Sequence, residues 1–428
     1  MGFAILGVML LLLVLGYPLM VPLLAAALLA LVVGFPGAAQ ETLVQQMIGG
    51  ISPAALIAVP MFILAAEIMP RGQAVDRLLT LVSRFVGHLR GGLPITCAVS
   101  CTAFGALSGS TQATVVAVGG PLRPRMLEAG YPDRFAMALI INASDIALLI
   151  PPSIGMIVYG VVSGTSIGEL FIAGIGPGLL ILALFSLYCW VATIRLGIEP
   201  LPRASWRERG VALRRAVLPA GAPLLIIGGI YSGLFSPTEA AAVSVLYAAV
   251  LEVAVYRELG LRDLLAIARS TGLITAVVFV LVGAGAAFSW VISYAELPAQ
   301  LVGGVLGLND ASGYATIMAT IAVAYFIGCM FVDPIVVILI LTPILHPVAV
   351  GAGIAPVLVG TLVTLQVAIG SATPPFGCDI FTAIAVFRRP YLEVIRGTPP
   401  FIVMLVGVSA LLIAWPPLAL FLPGLAFG

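Results

Sequence analysis

Leu149-Ile150-Pro151-Pro152-Ser153 decides the reading of this chain, because the same double proline returns 223 positions later in Ser371-Ala372-Thr373-Pro374-Pro375-Phe376-Gly377. Around it Leu122, Pro124, Ala129, Gly130 and Leu139 recur at the same shift as Leu345, Pro347, Ala352, Gly353 and Leu362. Two prolines in a membrane-length apolar run break a helix, since each removes an N–H and clashes with the preceding turn. Backbone groups freed inside a bilayer cost several kcal/mol unless protein or a water-filled cavity satisfies them. Matched breaks in two halves therefore point to a binding cavity, as in transporters built from internal repeats.

The composition sets the surroundings. The 428 residues are 61% hydrophobic and 9% charged, with runs such as Ile5 to Val33 and Ala216 to Ile230 that no soluble core requires. This predicts an all-α polytopic membrane protein with about ten to twelve spans or hairpins. Met1 to Val33 reads as a retained helix bent at Gly16-Tyr17-Pro18, being too evenly apolar for a cleaved signal peptide. The net charge of +1 gives no argument for nucleic acid as a partner, and all 19 basic residues are Arg. Five Cys (97, 101, 189, 329, 378) show no CxxC spacing and read as small packing residues, not a disulfide framework or zinc site.

Orientation follows from Arg, which is enriched in short cytoplasmic loops. Arg71, Arg77, Arg84 and Arg90 mark one inside loop, Arg123, Arg125 and Arg134 a second, and Arg203 to Arg215 a longer one between the halves. Arg257, Arg262 and Arg269, then Arg388, Arg389 and Arg396, mark two more. The second-half equivalents of the first two loops, Tyr294 to Gly313 and His346 to Pro356, hold no Arg and should face outside. One pattern with opposite charge bias is an inverted-topology repeat. The expected division is a first repeat over 1–195, a cytoplasmic linker over 196–216 and a second repeat over 217–428.

Within each repeat, about 15 residues each way between Gly91 and Leu122 are too few for two full spans. Re-entrant hairpins over 91–123 and 314–346 are predicted, with tips at Ser108 to Thr111 and Phe331 to Pro334. Broken helices over 135–165 and 356–388 follow them, and a final helix over 398–422. Two tips and two breaks should meet near the membrane midplane.

The side chains there suit a hard cation: Asn142, Ser144, Asp145 and Ser153 at the first break, Ser108, Ser110 and Thr111 at its tip, Gly370, Ser371, Thr373 and Asp379 at the second break, and Asp333 at its tip. Bared carbonyls and hydroxyl or carboxylate oxygens match sodium, whereas a chain with two His holds no soft metal readily. An intramembrane carboxylate is a functional candidate by default. Ser and Thr in membrane helices also bond back to their own backbone or join helices, so Ser108 and Ser144 admit a structural reading. Ser236-Pro237-Thr238-Glu239 has capping-box spacing and reads as structural. Glu67 and Glu296 read as interfacial, and His88 and His346 as loop residues. No Arg falls in a predicted core segment, so a substrate carboxylate would lean on half-helix N-termini, hydroxyls and the bound cation.

These stretches resemble the large membrane subunit of tripartite ATP-independent periplasmic (TRAP) transporters, in the wider ion-transporter superfamily. The resemblance rests on Ser108 to Thr111 with Ala113 to Gly120, on Leu149 to Gly178, Gly228 to Ala242 and Met330 to Ala349, and on Ala372 to Gly377, and it spans nearly the whole chain. It implies an elevator-type symporter with a scaffold and a mobile transport domain, in the cytoplasmic membrane of a bacterium or archaeon. It further implies sodium coupling without another cofactor, a small four-helix membrane subunit, and a periplasmic binding protein delivering an organic acid. Carried over, the first tip and first break form one sodium site and the second pair the other. Ser108, Gly109, Ser110, Asn142, Ser144, Asp145, Asp333, Gly370, Thr373 and Asp379 are the ion-binding candidates. Thr111, Pro152, Ser153, Ser371, Pro375 and Gly377 are the substrate candidates. Asp145 stands where the family usually has small or hydroxyl residues, and Asp379 where an Asn commonly follows the break. A stand-alone sodium- or proton-coupled anion transporter is the alternative. A membrane-embedded hydrolase lacks residues to run on: no HExxH, no GxGD, and no core His to serve Ser108.

Overall fold

A computed structural model describes residues 7–9, 11–12, 15–34, 41–294 and 313–427. The described residues are helical with no strand, as bilayer insertion demands of a chain that must satisfy its backbone internally. Among the described residues seven helices are long and apolar enough to cross a membrane, or eight if the bent pair near the C-terminus is one span. Glu296 and most of the expected outside loop between Tyr294 and Gly313 lie outside the described residues.

The first packing group holds α1 (Met20–Gly34), α2 (Glu41–Ile51), α3 (Ala58–Arg71) and α4 (Ala74–Val86). They pack with α10 (Trp206–Tyr231), α11 (Pro237–Ala249, continued by a π turn to Val255) and α12 (Leu261–Tyr294). Under the 223-residue shift, α2 and α3 correspond to α12. The first copy is interrupted at Ser52-Pro53, where Pro removes a ladder N–H, while the second runs unbroken for 34 residues.

The second group begins with a hairpin of α5 (Gly92–Ser108) and α6 (Thr111–Glu128). Then come α7 (Asp133–Ser144), a 3-10 turn Asp145–Leu148, α8 (Ile154–Ser163) and the long α9 (Ile167–Leu196). The same order returns as a hairpin of α13 (Tyr314–Phe331) and α14 (Pro334–Gly351), then α15 (Pro356–Ser371), α16 (Cys378–Phe387), α17 (Tyr391–Ile395), α18 (Pro399–Ala414) and α19 (Pro417–Phe427). Both Pro151-Pro152 and Pro374-Pro375 peptide bonds are cis. The α15 helix is buried along its length, so its polar Gln366 bonds Ser409 of α18 and its Thr361 and Thr364 bond back to Val357 O and Gly360 O, both at 2.8 Å.

Four expectations differ from what is observed. The linker 196–216 is helical from Trp206, because Ser205 and Glu208 form a capping box that starts α10 early. The final helix 398–422 is two helices bent by 59°, broken where Pro416 and Pro417 follow Trp415. The hairpin arms are longer than about 15 residues: α5 has 17 and α6, α13 and α14 have 18 each. As a result His346 is not in a loop but inside α14, where its Nδ1 lies 2.7 Å from the Tyr159 hydroxyl of α8. Prolines 121, 124, 343 and 347 lie inside these arms without ending them. The expected cap at Ser236 forms as read, with Glu239 Oε2 accepting from Ser236 N at 2.8 Å.

Candidate functional site

Both hairpin tips touch a broken helix. Gly109 turns the chain between α5 and α6 at φ +59°, a conformation that suits only glycine here: a Cβ would sit 2.3 Å from Pro152 O. This close approach lets Ile154 N reach Gly109 O at 3.4 Å, so the first tip lies against the first break. Ser110 then caps α6 by accepting from Ala113 N, and Ser153 caps α8 by accepting from Met156 N at 3.3 Å. At the second tip Asp333 caps α14, its Oδ1 accepting from Ile335 N at 2.9 Å. Phe376 N of the second break donates to Met330 O at 3.0 Å, and Gly370 packs so closely that a Cβ would lie 2.4 Å from Cys329 Cβ.

A third contact crosses between the repeats. Asp379, fully buried at the start of α16, accepts from Thr111 Oγ1 at 2.7 Å and from Ser371 Oγ at 2.8 Å. The two tip-and-break pairs therefore share one polar link. Ser108, Gly109, Ser110 and Thr111 of the first tip and Asp333 of the second face a common chamber of about 990 Å³. Its other wall belongs to α3, α4 and α12, through residues including Glu67, Arg71, Asp76 and Ile274. The N-termini of α6, α8 and α14 all border it, and helix N-termini carry positive partial charge.

The remaining candidates sit behind this chamber. Ser144 Oγ bonds back to Ile141 O at 2.6 Å and Thr373 Oγ1 to Ile369 O at 2.6 Å, the local pattern of buried helical hydroxyls. Pro152 and Gly377 act through backbone approach: a Cβ on Gly377 would meet Ser371 O at 2.3 Å. Pro375 O accepts from Tyr391 OH at 2.9 Å, a tie that the sequence reading missed because Tyr391 lies 16 positions on. Asn142 and Asp145 stand one helical turn apart and are fully buried. Asn142 Nδ2 donates to Ala138 O at 2.8 Å, but its Oδ1 and both oxygens of Asp145 find no donor among the described residues. These are three acceptors on one turn facing no N–H or O–H, an arrangement that suits a positive centre.

Arg71, read from the sequence as one of the Arg of an inside loop, ends α3 and lines the chamber from that end.

Residues 6–418 match the family described as the tripartite ATP-independent periplasmic transporter, DctM component. The chain belongs to this family of TRAP large permeases. It is 64% identical over 420 residues, 98% of each chain, to the ectoine/5-hydroxyectoine TRAP transporter large permease protein UehC of Ruegeria pomeroyi. It is 63% identical over 97% of each chain to the ectoine TRAP transporter large permease protein TeaC of Halomonas elongata. The sialic acid TRAP transporter large permease protein SiaM of Vibrio cholerae is 37% identical over 90% of each. Among solved structures, the Alcanivorax borkumensis YdaH transporter superposes with a TM-score of 0.63, covering 88% of this chain and 89% of that one, at 19% identity, a likeness of fold. The permease is thus a polytopic helical membrane transporter subunit.

Proposed function

We propose that this TRAP large permease carries out sodium-coupled uptake of a small zwitterionic organic acid of the ectoine type, by an elevator motion of its hairpin-bearing group. The observation that carries the reading is the single chamber onto which both hairpin tips open, beside three helix N-termini. A chamber of about 990 Å³ is the size of a small-molecule site. Its charged lining, Glu67, Arg71, Asp76 and Asp333, offers both signs, as a zwitterion requires. Identity of 64% and 63% to two ectoine permeases supports that substrate class.

Sodium is transported cargo in this reading. The donor-free acceptors of Asn142 and Asp145, and the tip oxygens of Ser108, Ser110 and Thr111, are hard ligands suited to it. The grouping of α1–α4 with α10–α12, apart from the hairpins and broken helices, supports reading one as scaffold and the other as moving body, with the chamber between them. In this reading the permease works with a small membrane subunit and a periplasmic binding protein, in a bacterial inner membrane.

The test is uptake of labelled ectoine into liposomes holding this chain, a small TRAP subunit and an ectoine-binding protein. Uptake should require an inward sodium gradient and the binding protein together. Uptake that persists when a sodium ionophore collapses the gradient rejects the coupling.

A further inference from the structure

We infer that Arg71, on the stationary wall of the chamber, is the docking residue for the substrate carboxylate and so sets selectivity for organic acids over their uncharged analogues. This rests on the transport reading above and adds to it a residue outside the hairpins and breaks.

Among the described residues Arg71 is the one Arg of the chamber lining, and its guanidinium makes no hydrogen bond there. Its closest acidic neighbour is Glu67, one helical turn back, whose Oε2 lies 3.7 Å from Nη2. That distance is an ion pair and not a hydrogen bond, and no hydrogen bond to the guanidinium forms among the described residues. The Glu67 carboxylate is held elsewhere: Ser270 Oγ of α12 donates to its Oε1 at 2.9 Å. Glu67 thus draws Arg71 toward the chamber without occupying the guanidinium fork. Five N–H groups in a plane match a carboxylate bidentately, and such charge-assisted pairs are the strong ones. Other Arg side chains are engaged: Arg77 with Gln73 and over the Tyr256 ring, Arg123 and Arg389 with Asp133, Arg84 with Glu208, and Arg209 beside His88 and Trp206.

The corner carrying Arg71 is fixed. Glu252, buried in the π turn after α11, accepts from the backbone N–H groups of Gln73 and Ala74, both at 3.0 Å, capping α4. Its carboxylate fits only because residue 72 is glycine: a Cβ there would lie 1.8 Å from Glu252 Oε2. The loop between α3 and α4 is therefore anchored through two backbone donors, and Arg71 starts from a set position instead of a free terminus. Asp333 lines the same chamber, a carboxylate suited to the cationic end of a zwitterion.

The experiment compares ectoine with its carboxamide as competitors of labelled ectoine uptake, in liposomes holding the whole complex. The wild type should prefer the carboxylate by about tenfold or more, the ratio a charge-assisted pair supports. Arg71→Gln should raise the KM for ectoine by about that factor, leave carboxamide affinity unchanged and abolish the preference, and Arg71→Lys should recover part of it because the point charge remains without the fork. The inference is overturned if Arg71→Gln weakens both compounds equally, which is a structural effect, or if the preference survives. A wild-type complex that takes up no ectoine removes the inference together with the transport reading, and does so without any variant.

Discussion

At the scale of single residues, Gly109 shows how little tolerance the site has. Its φ of +59° costs any other residue about 1–2 kcal/mol, and its missing Cβ makes room for Pro152 O. Gly130, between α6 and α7, has a φ of +90° but open space around it. The pair separates backbone strain from close approach. Gly130→Ala should lower stability by about 1–2 kcal/mol while uptake is kept. Gly109→Ala should lose uptake by roughly tenfold or more, because the tip moves off the break and misplaced groups cost rate steeply. Uptake assays with melting in detergent check both, and equal effects on uptake reject the distinction. Site residues were unevenly legible for a related reason. Asp379 and Thr111 stand out as polar letters in apolar runs, but their bond to each other spans 268 positions and no spacing rule reports it. Arg71 reads as a loop-flanking Arg, and only the packing of α3 against the hairpins shows that it also lines the chamber.

At the scale of elements, local chemistry that needs no tertiary partner was the readable part. The double prolines at 151–152 and 374–375 interrupt the helices before them, and Ser236 with Glu239 builds its cap within four residues. Ser236→Ala should cost about 1 kcal/mol, seen as a lower melting temperature with the substrate KM unchanged. A changed KM would show that the cap does more than start α11. Proline proved a poor guide where the neighbours hold the helix together: α14 passes through Pro343 and Pro347 because its flanks pack on α13, α15 and α8. His346 was placed in a loop because the arm was expected to be about 15 residues, whereas α14 runs for 18.

At the scale of the whole molecule, the repeat is legible as a shift of 223 positions, while its asymmetry is not. One copy of a packing helix is cut at Ser52-Pro53 and its mate is continuous, a difference that follows from a single proline. The inverted reading makes a sided prediction. Glu128 and Ala352 lie at the ends of the second hairpin arms, one position apart under the 223-residue shift, and are both exposed. Single cysteines placed there, in a chain whose native cysteines are buried or partly buried, should react from opposite faces of intact cells. A membrane-impermeant maleimide should label Ala352→Cys from outside and Glu128→Cys only after lysis. Labelling of both from one side rejects inversion.

The link from Thr111 to Asp379 also bears on how the protein comes into being. A chain made from its N-terminus inserts the first hairpin and first break long before residue 379 leaves the ribosome, so Thr111 waits through 268 positions of synthesis for its acceptor. Until then the first repeat holds a polar tip whose intended partner does not yet exist. Completion of the site is thus a late event in biogenesis, and a nascent chain stopped before Cys378 could sit in the membrane with its helices placed and still have no working centre.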